Sequence, residues 1–455
     1  MNNLRLNSLS SSAGRSARAL LVGALLVGAA TGWAQNAEAP KELTDRVSEQ
    51  LNNAIKNAKE AKNYDEALRL IDELIAKADK NSYDMAVLSL EKAQLHFAKN
   101  ELKQAIVPLE TTLALSDKYK YFDQKVIHEL VLYLAQLWGQ EAQAAKGADE
   151  QRRVYAKAYS YVRRYLDESR TPNPDMQQFA ASILLSQAQI NPDKVDMGLI
   201  KQAQVEVEKG MRMAIKPKEQ FYVLLYATLQ QQGDFKRSAE VLELLVKQVP
   251  NSKQYWQQLA ATYLQMEENV RAINAIERAQ QYGIMNTPKD NYSLVGIYYN
   301  IKQYDRAIEL LEAGLRNGNI ENTLDNWGLL AGAYQQVHKE LKAVEALREA
   351  SKRFPKAGSL DFQIASIYYT LDRTQDAYNA VKVSLQKGLD KPVQAYLLLA
   401  YFASEMKNYD EAKAAAENAL KADPDNRDAV RLLDAINEAI KDREAQKEAQ
   451  KNQSF

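Results

Sequence analysis

The chain has 455 residues, of which 46% are apolar and 26% charged, and its 59 basic side chains balance its 59 acidic ones. This balance excludes the basic excess that nucleic-acid-binding proteins carry, so we expect no nucleic-acid partner. Cysteine is absent, which excludes disulfides, thiol nucleophiles, thiolate metal sites and a lipidated N-terminal cysteine. Glycine and proline are few and helix formers dominate, so the composition predicts an all-α fold.

The first segment, residues 1–34, differs in kind from the rest of the chain. It has arginines but no acidic residue, an apolar run at 19–30 and a small-x-small ending at 32–34. These features predict a secretory signal peptide cleaved near Ala34-Gln35. The apolar run is too short to cross a bilayer of about 30 Å comfortably, so we expect no integral membrane span in the mature form. An uncleaved anchor and a mitochondrial transit peptide are alternatives.

The pentapeptide NYDEA occurs twice, at 63–67 and at 408–412, each time before an apolar-periodic stretch. Asn63 and Asn408 are suited to cap a helix, and the glutamate three residues after each would complete a capping box. Negative charge in the first turn also suits the helix dipole. Both copies therefore predict the entry to a helix.

A small residue returns at regular intervals, followed by apolar residues four and seven or eight positions later. From Ser238 onward the intervals are 34, 35, 36, 34 and 35 residues, a period that indicates a helical repeat. We expect each small residue to lie where two helices of one repeat cross closely, since a larger side chain would separate them. These positions are Ala67, Ala105, Ser238, Ala272, Ala307, Ala343, Ala377 and Ala412.

The segments 324–357 and 393–425 resemble the tetratricopeptide repeat, whose unit reads W-x2-L-G-x2-Y and then A, A and P. The first segment matches at Trp327, Leu330, Tyr334, Ala343, Ala350 and Pro355, with Ala331 in place of the usual glycine. The resemblance implies an α-α superhelix, or solenoid, of about ten helix pairs. It also implies a scaffold that binds a protein or peptide partner in a concave groove.

The domain boundaries follow from where this period holds. After the signal peptide we predict a short linker over 35–47 and helix pairs over 48–168. An irregular helix pair with proline-containing loops is predicted over 169–218, and a regular array over 219–425. A capping helix and tail fill 426–455.

The sequence offers little for catalysis. The three histidines fall in different repeats, and HELVLY at 128–133 lacks the second histidine of a zinc-peptidase motif. No phosphate-binding loop, nucleophile elbow or dinucleotide fingerprint is present. We therefore expect no catalytic residue, no cofactor and no metal, and predict that the protein is not an enzyme. The alternative is an enzyme or a carbohydrate-binding protein with its site within 121–216.

The resemblance implies that first-helix positions line the inner groove, where aromatic and amide side chains would suit an extended peptide. The basic set with which chaperone-binding members clamp a carboxylate is not evident, which argues against that ligand. Small residues at 296, 328, 332 and 366 would leave room between the rings. The predicted groove residues are Gln257, Tyr292, Tyr299, Asn300, Gln335, Gln336, Phe362, Tyr369, Leu397 and Tyr401.

Together these features predict an exported, non-enzymatic scaffold in the periplasm, with partners among the proteins of the cell envelope. As a whole the chain is similar to secreted tetratricopeptide proteins that accompany TonB/ExbB/ExbD-type systems. Polysaccharide export and outer-membrane assembly are alternative settings. The partner's identity and the oligomeric state do not follow from the residues.

Overall fold

The structure is a computed structural model that describes residues 41–169 and 171–452. The predicted signal peptide and its cleavage site lie outside the described residues. Every regular element within the described residues is helical, in agreement with the predicted all-α class and its helix pairs. The chain forms two compact units that divide between residues 170 and 171.

Unit 1 is a series of antiparallel helices whose apolar faces form two main clusters. Its first helix begins at Asp45 and buries Val47, inside the segment predicted as a linker over 35–47. The helices are α1 (Asp45–Gln50), a π-helical turn (Leu51–Ile55), α2 (Lys56–Glu60), α3 (Tyr64–Ile75), α4 (Tyr83–Ala98), a 3-10 turn (Leu102–Ala105), α5 (Ile106–Tyr119), α6 (Gln124–Ala144) and α7 (Ala148–Glu168).

Unit 2 opens with the irregular pair α8 (Pro174–Ala188) and α9 (Met197–Met213). Six regular pairs and a long final helix follow. The first helices of the pairs are α10 (Glu219–Gln231), α12 (Lys253–Gln265), α14 (Pro288–Asn300), α16 (Leu324–Gln336), α18 (Gly358–Thr370) and α20 (Val393–Glu405). The second helices are α11 (Phe235–Gln248), α13 (Asn269–Gln281), α15 (Tyr304–Asn317), α17 (Glu340–Arg353), α19 (Thr374–Lys387) and α21 (Tyr409–Ala422), and the last is α22 (Arg427–Asn452).

The six regular pairs share one internal spacing. Every first helix has 13 residues, and every second helix begins 16 residues after its first helix begins, as at 219 and 235 or 393 and 409. The period nevertheless varies between 34 and 36 residues, from 219 to 253 and from 288 to 324. All of this variation therefore lies in the loops between pairs.

The eight small residues that mark the repeat are all completely buried, with 0% of their surface exposed. In the regular pairs each lies in the first turn of the second helix, where a methyl or hydroxymethyl group is the largest side chain that the neighbouring helix allows. The exception in geometry is Ala105, which closes a 3-10 turn before α5.

A left-handed residue ends every first helix of the regular pairs. The amide that follows it donates to a carbonyl five residues earlier, as from Lys339 to Tyr334 at 2.9 Å, which closes the helix in a Schellman motif. Only the first of these turns uses glycine, although the conformation strains any residue with a Cβ atom. The residues are Gly233, Glu267, Lys302, His338, Asp372 and Lys407.

The two NYDEA segments begin second helices, but the predicted capping boxes are absent. The Asn63 side chain accepts a hydrogen bond from the Glu66 amide at 3.3 Å, while the Glu66 carboxylate pairs with Arg69. The Asn408 side chain caps no amide and donates to Glu411 at 2.7 Å. The prediction was wrong because nearby donors attract the glutamate carboxylates more strongly than the neutral cap amide does.

The final helix α22 begins 34 residues after α20, so it occupies the place of a seventh first helix. It packs on α21 and α20. Ala429 and Ile436 are buried there, and the Arg443 guanidinium lies 5.1 Å from the centre of the Tyr409 ring. Charged side chains cover much of its other side, which is the role of a capping helix.

Candidate functional site

The six first helices of unit 2 share one accessible face. Counting from the first residue of each helix, this face comprises positions 5, 9, 12 and 13, which gives 24 residues. None of the 24 is buried. Positions 4 and 8, by contrast, hold packed residues such as Trp256, Trp327 and Ala331. We call the 24 residues the first-helix face.

The first-helix face is almost free of charge. Glu405 is its one charged member, whereas the overall charged fraction of 26% would give about six among 24 residues. Accessible positions normally carry more charge than the average of a chain, because charged side chains are seldom buried. Tyrosine, glutamine, asparagine and small residues occupy the face instead. Exclusion of charge from an exposed surface has no source in helix stability, since lysine and glutamate favour helices.

The structure places every predicted groove residue on this face. Tyr292 is 41% exposed, Tyr369 45% and Tyr401 39%. Tyr299, Phe362 and Leu397 are half-buried, and Gln257, Asn300, Gln335 and Gln336 are exposed. Their role in binding a partner stays a prediction.

Rings from neighbouring first helices meet on the face. The Tyr369 ring of α18 lies edge-on to Tyr401 and Phe402 of α20, with ring centres 5.9 and 5.4 Å apart. Tyr299 instead packs against Tyr304, in the second helix of its own pair, at 5.1 Å. The aromatic surface is therefore continuous between α18 and α20.

Sequence reasoning missed one apolar member of the face. Leu264 is 39% exposed and occupies position 12 of α12, the position that Tyr299 and Tyr369 hold in their helices. Only the helix register reveals it, since a leucine in a helical pattern otherwise predicts a core residue.

Three glycines leave bare backbone at the centre of the face. A Cβ atom added to Gly296 or Gly332 would meet nothing within 4 Å, and one on Gly328 would meet only the Gln363 side chain at 3.9 Å. In contrast, a Cβ atom on Gly358 would lie 2.3 Å from the Ser384 carbonyl oxygen. Packing therefore requires Gly358 but none of the three glycines on the face.

A row of buried tyrosines lies behind the face at position 11. The hydroxyl of Tyr263 donates to Glu243 at 3.2 Å, and Tyr334 bonds Glu312 in the same way. Burial raises the pKa of these phenols, and the nearby carboxylate raises it further, to about 12 for Tyr334. Each glutamate belongs to the second helix of the preceding pair, so the row joins successive pairs.

Unit 1 holds an acid and aromatic cluster close to the region considered for an enzyme or carbohydrate site. The Glu110 carboxylate accepts hydrogen bonds from Trp138 Nε1 at 3.0 Å and from the Tyr161 hydroxyl at 2.7 Å, and it lies 3.3 Å from Lys157 Nζ. Burial and this carboxylate both raise the pKa of Tyr161. The cluster links α5, α6 and α7, so its polar groups serve packing.

The histidines stand apart from one another. His96 is buried and its Nδ1 lies 2.9 Å from Glu101, His338 is exposed, and His128 Nε2 lies 3.9 Å from Glu168. Within residues 41–169 and 171–452, no three or more His, Asp or Glu side chains are grouped to hold a metal ion. No helix of that part of the chain is long and apolar enough to cross a membrane.

A family model identifies the last regular pair. Residues 393–426 match the model described as tetratricopeptide repeat. This segment comprises α20, α21 and the loop to α22. The five preceding pairs have the same helix lengths and internal spacing. The fold class is thus an α-α superhelix built from tetratricopeptide-type pairs.

Several solved structures resemble the chain at low identity. YrrB, described as a TPR protein with an unusual peptide-binding site, is 16% identical over 42% of this chain and 97% of its own, with a TM-score of 0.32. Yeast Tom70 is 12% identical over 90% of this chain and 100% of its own, with a TM-score of 0.30. A tetratricopeptide repeat protein from Parabacteroides merdae is 13% identical over 56% and 98%, with a TM-score of 0.29. At these values none transfers a function to this chain, and no curated protein matches its sequence.

Proposed function

We propose that the protein is a non-enzymatic scaffold that binds an extended segment of a partner protein across the first-helix face of unit 2. The observation that carries this proposal is the near absence of charge from 24 accessible positions. A surface in contact with water alone gains nothing from excluding lysine and glutamate. A surface covered by a partner does gain, because unpaired charges at an interface are costly to desolvate.

The residue types on the face suit a polypeptide. Tyrosine offers a large contact area with few torsions to restrict and a hydroxyl for hydrogen bonding. Glutamine and asparagine carry both a donor and an acceptor, which matches the alternating amide and carbonyl groups of an extended chain. Neighbouring packed helices lie about 8–10 Å apart, which is about three residues of extended chain. Each helix would therefore contact a similar short stretch of the partner.

The setting that we propose is the periplasm. The support is the composition of residues 1–34, with its basic start, apolar run and small-residue ending, together with the absence of cysteine. The similarity to secreted proteins of TonB/ExbB/ExbD-type systems makes a transport complex of the cell envelope the first place to look for the partner. N-terminal sequencing of the protein from a periplasmic extract tests the location, with Gln35 as the expected first residue.

Site-specific photocrosslinking tests the binding face. A photoreactive phenylalanine analogue at Gln335 stands on the face, and the same analogue at Leu341 stands on α17 and is 54% exposed. We expect crosslinks to one protein partner from position 335 and none from position 341. Absence of any crosslinked protein, or equal crosslinking from the two positions, would contradict the proposal.

A further inference from the structure

The centre of the first-helix face has an alternating pattern across three neighbouring helices. At positions 5 and 12, α14 presents Tyr292 and Tyr299, and α18 presents Phe362 and Tyr369. Between them α16 has glycine at positions 5 and 9. We call this bare strip, formed by Gly328 and Gly332, the glycine trough.

The glycines of the trough weaken the helix that holds them. Glycine in a helix interior costs about 0.5–1 kcal/mol relative to alanine because its backbone loses more freedom on folding. Tight packing often explains such a glycine, as it does for Gly358. At Gly332 no atom lies within 4 Å of an added Cβ, and at Gly328 the one neighbour is at ordinary contact distance. What the missing side chains provide is therefore space outside the molecule.

The surroundings of the trough show no preference for either sign of charge. The left-handed turn residues bordering the face are Glu267, Lys302, Asp372 and Lys407, two of each sign. Within the face, Glu405 lies at the end of α20, two helices away from α16. A charged side chain brought into the trough would lose its water without gaining a partner of opposite charge.

We infer that the occupant of the trough is an uncharged, extended polypeptide segment whose main chain lies directly on the backbone of α16. This inference rests on the proposed function and specifies its partner. The missing Cβ atoms admit a main chain at van der Waals distance, and Gln335 and Gln336 supply amide groups beside it. The rings of α14 and α18 flank the segment on both sides, where its apolar side chains find contact.

The first part of the test is selection of peptides on the full-length protein. A displayed library of random twelve-residue peptides is selected on the protein and, in parallel, on the Gln335→Trp variant, whose larger side chain obstructs the face. Peptides retained by the native protein and lost by the variant are sequenced. We expect them to be depleted in Asp, Glu, Lys and Arg relative to the library. We also expect their affinity to change less than threefold between 50 and 500 mM NaCl.

The second part reverses the sign of an added charge. Gln335→Lys and Gln335→Glu should both weaken binding of the selected peptides, because an uncharged segment pairs with neither. An acidic segment would bind the lysine variant more tightly, and a basic segment the glutamate variant. The matched controls are Asn274→Lys and Asn274→Glu, at an exposed position of α13 outside the face, which should leave affinity unchanged.

The third part separates stability from binding at the glycines. Gly332→Ala should raise the melting temperature by a few degrees and weaken peptide binding at least tenfold, because its methyl group occupies the space for the main chain. If the variant binds as tightly as the native protein, the inference is wrong. A structural role for the glycine would instead lower both stability and binding.

The outcomes distinguish the inference from the proposed function. Selected peptides that bind the face but carry net charge, or bind more weakly at high salt, overturn the inference and leave the peptide-binding function intact. Selection of no peptide sensitive to Gln335→Trp overturns both. Displacement of bound peptide by maltoheptaose, a neutral oligosaccharide, would assign the face to a glycan and also overturn both.

Discussion

The hydroxyl of Tyr298 donates a hydrogen bond of 2.9 Å to Glu277, which lies on the second helix of the preceding pair. The same two positions bring Arg348 within 3.0 Å of the Tyr368 hydroxyl in a later pair. Each regular pair between α12 and α19 is thus tied to its predecessor at one equivalent place. A polar bond inside an otherwise apolar contact fixes the register between pairs, because a shifted register would leave both groups unpaired.

Removal of the Tyr334 hydroxyl should change the response to alkaline pH. The folded protein holds the pKa of Tyr334 at about 12, above the value of about 10 in unfolded chains. The resulting stability is fully present below about pH 10 and is lost as the pH rises toward 12. In urea unfolding measured between pH 8 and 12, Tyr334→Phe should therefore lose less stability than the native protein. A parallel loss in both proteins would contradict this assignment.

Enlargement of a small residue at the helix crossing should destabilise unit 2. Ala343 is fully buried, so Ala343→Leu forces the helices of its pair apart and should cost about 1–3 kcal/mol in urea unfolding. The control is Ala313→Leu, at an exposed position of α15, which should stay within about 0.5 kcal/mol of the native protein. Equal stability of the two variants would show that the repeat register is wrong.

Exchange of residues at the left-handed turns should move stability in opposite directions. His338 adopts φ 55° and its side chain is 91% exposed, while Gly233 holds the equivalent turn at φ 71°. His338→Gly should stabilise by about 0.5–1 kcal/mol, because relief of the left-handed strain exceeds the entropy that glycine loses. Gly233→His should destabilise by a similar amount. Thermal unfolding monitored by circular dichroism measures both, and changes of the same sign would refute the account.

Two glycines should respond to alanine in opposite ways. Gly332→Ala should stabilise by about 0.5–1 kcal/mol, since the methyl group meets open space and the helix gains propensity. Gly358→Ala should destabilise by about 1–3 kcal/mol, because its Cβ atom would lie 2.3 Å from the Ser384 carbonyl oxygen and 2.4 Å from that of Gly388. Chemical denaturation of both variants in one buffer provides the comparison.

The repeat could be predicted because its most constrained positions are also the most visible in sequence. A buried small residue every 34–36 positions leaves a periodic signal, and Trp327 and Tyr334 add large residues at fixed distances from it. The side on which the accessible residues lie then follows from counting along a helix of known start. For this reason Tyr369 could be assigned to the face and the adjacent Tyr368 to the interior once the helix bounds were known.

Other features carry no sequence signal. The left-handed turns at Lys302 and His338 lack the glycine that would predict them, because the two helices they join impose the conformation. The partner of Glu411 could not be foreseen either. Its carboxylate bonds Tyr378 and Lys382, which lie about 30 positions earlier and approach only through the stacking of pairs. Local sequence predicts a capping contact there, and tertiary contact replaces it.

The constant offset within each regular pair makes the pair an interchangeable part. The first and second helices keep the same phase in all six pairs, and the differences in length lie in the loops that join one pair to the next. Deletion or duplication of residues 324–357 would therefore remove or add one whole pair and rejoin chemically equivalent ends. The number of pairs, and with it the length of partner that the first-helix face can hold, is open to change by gene rearrangement without redesign of any single helix.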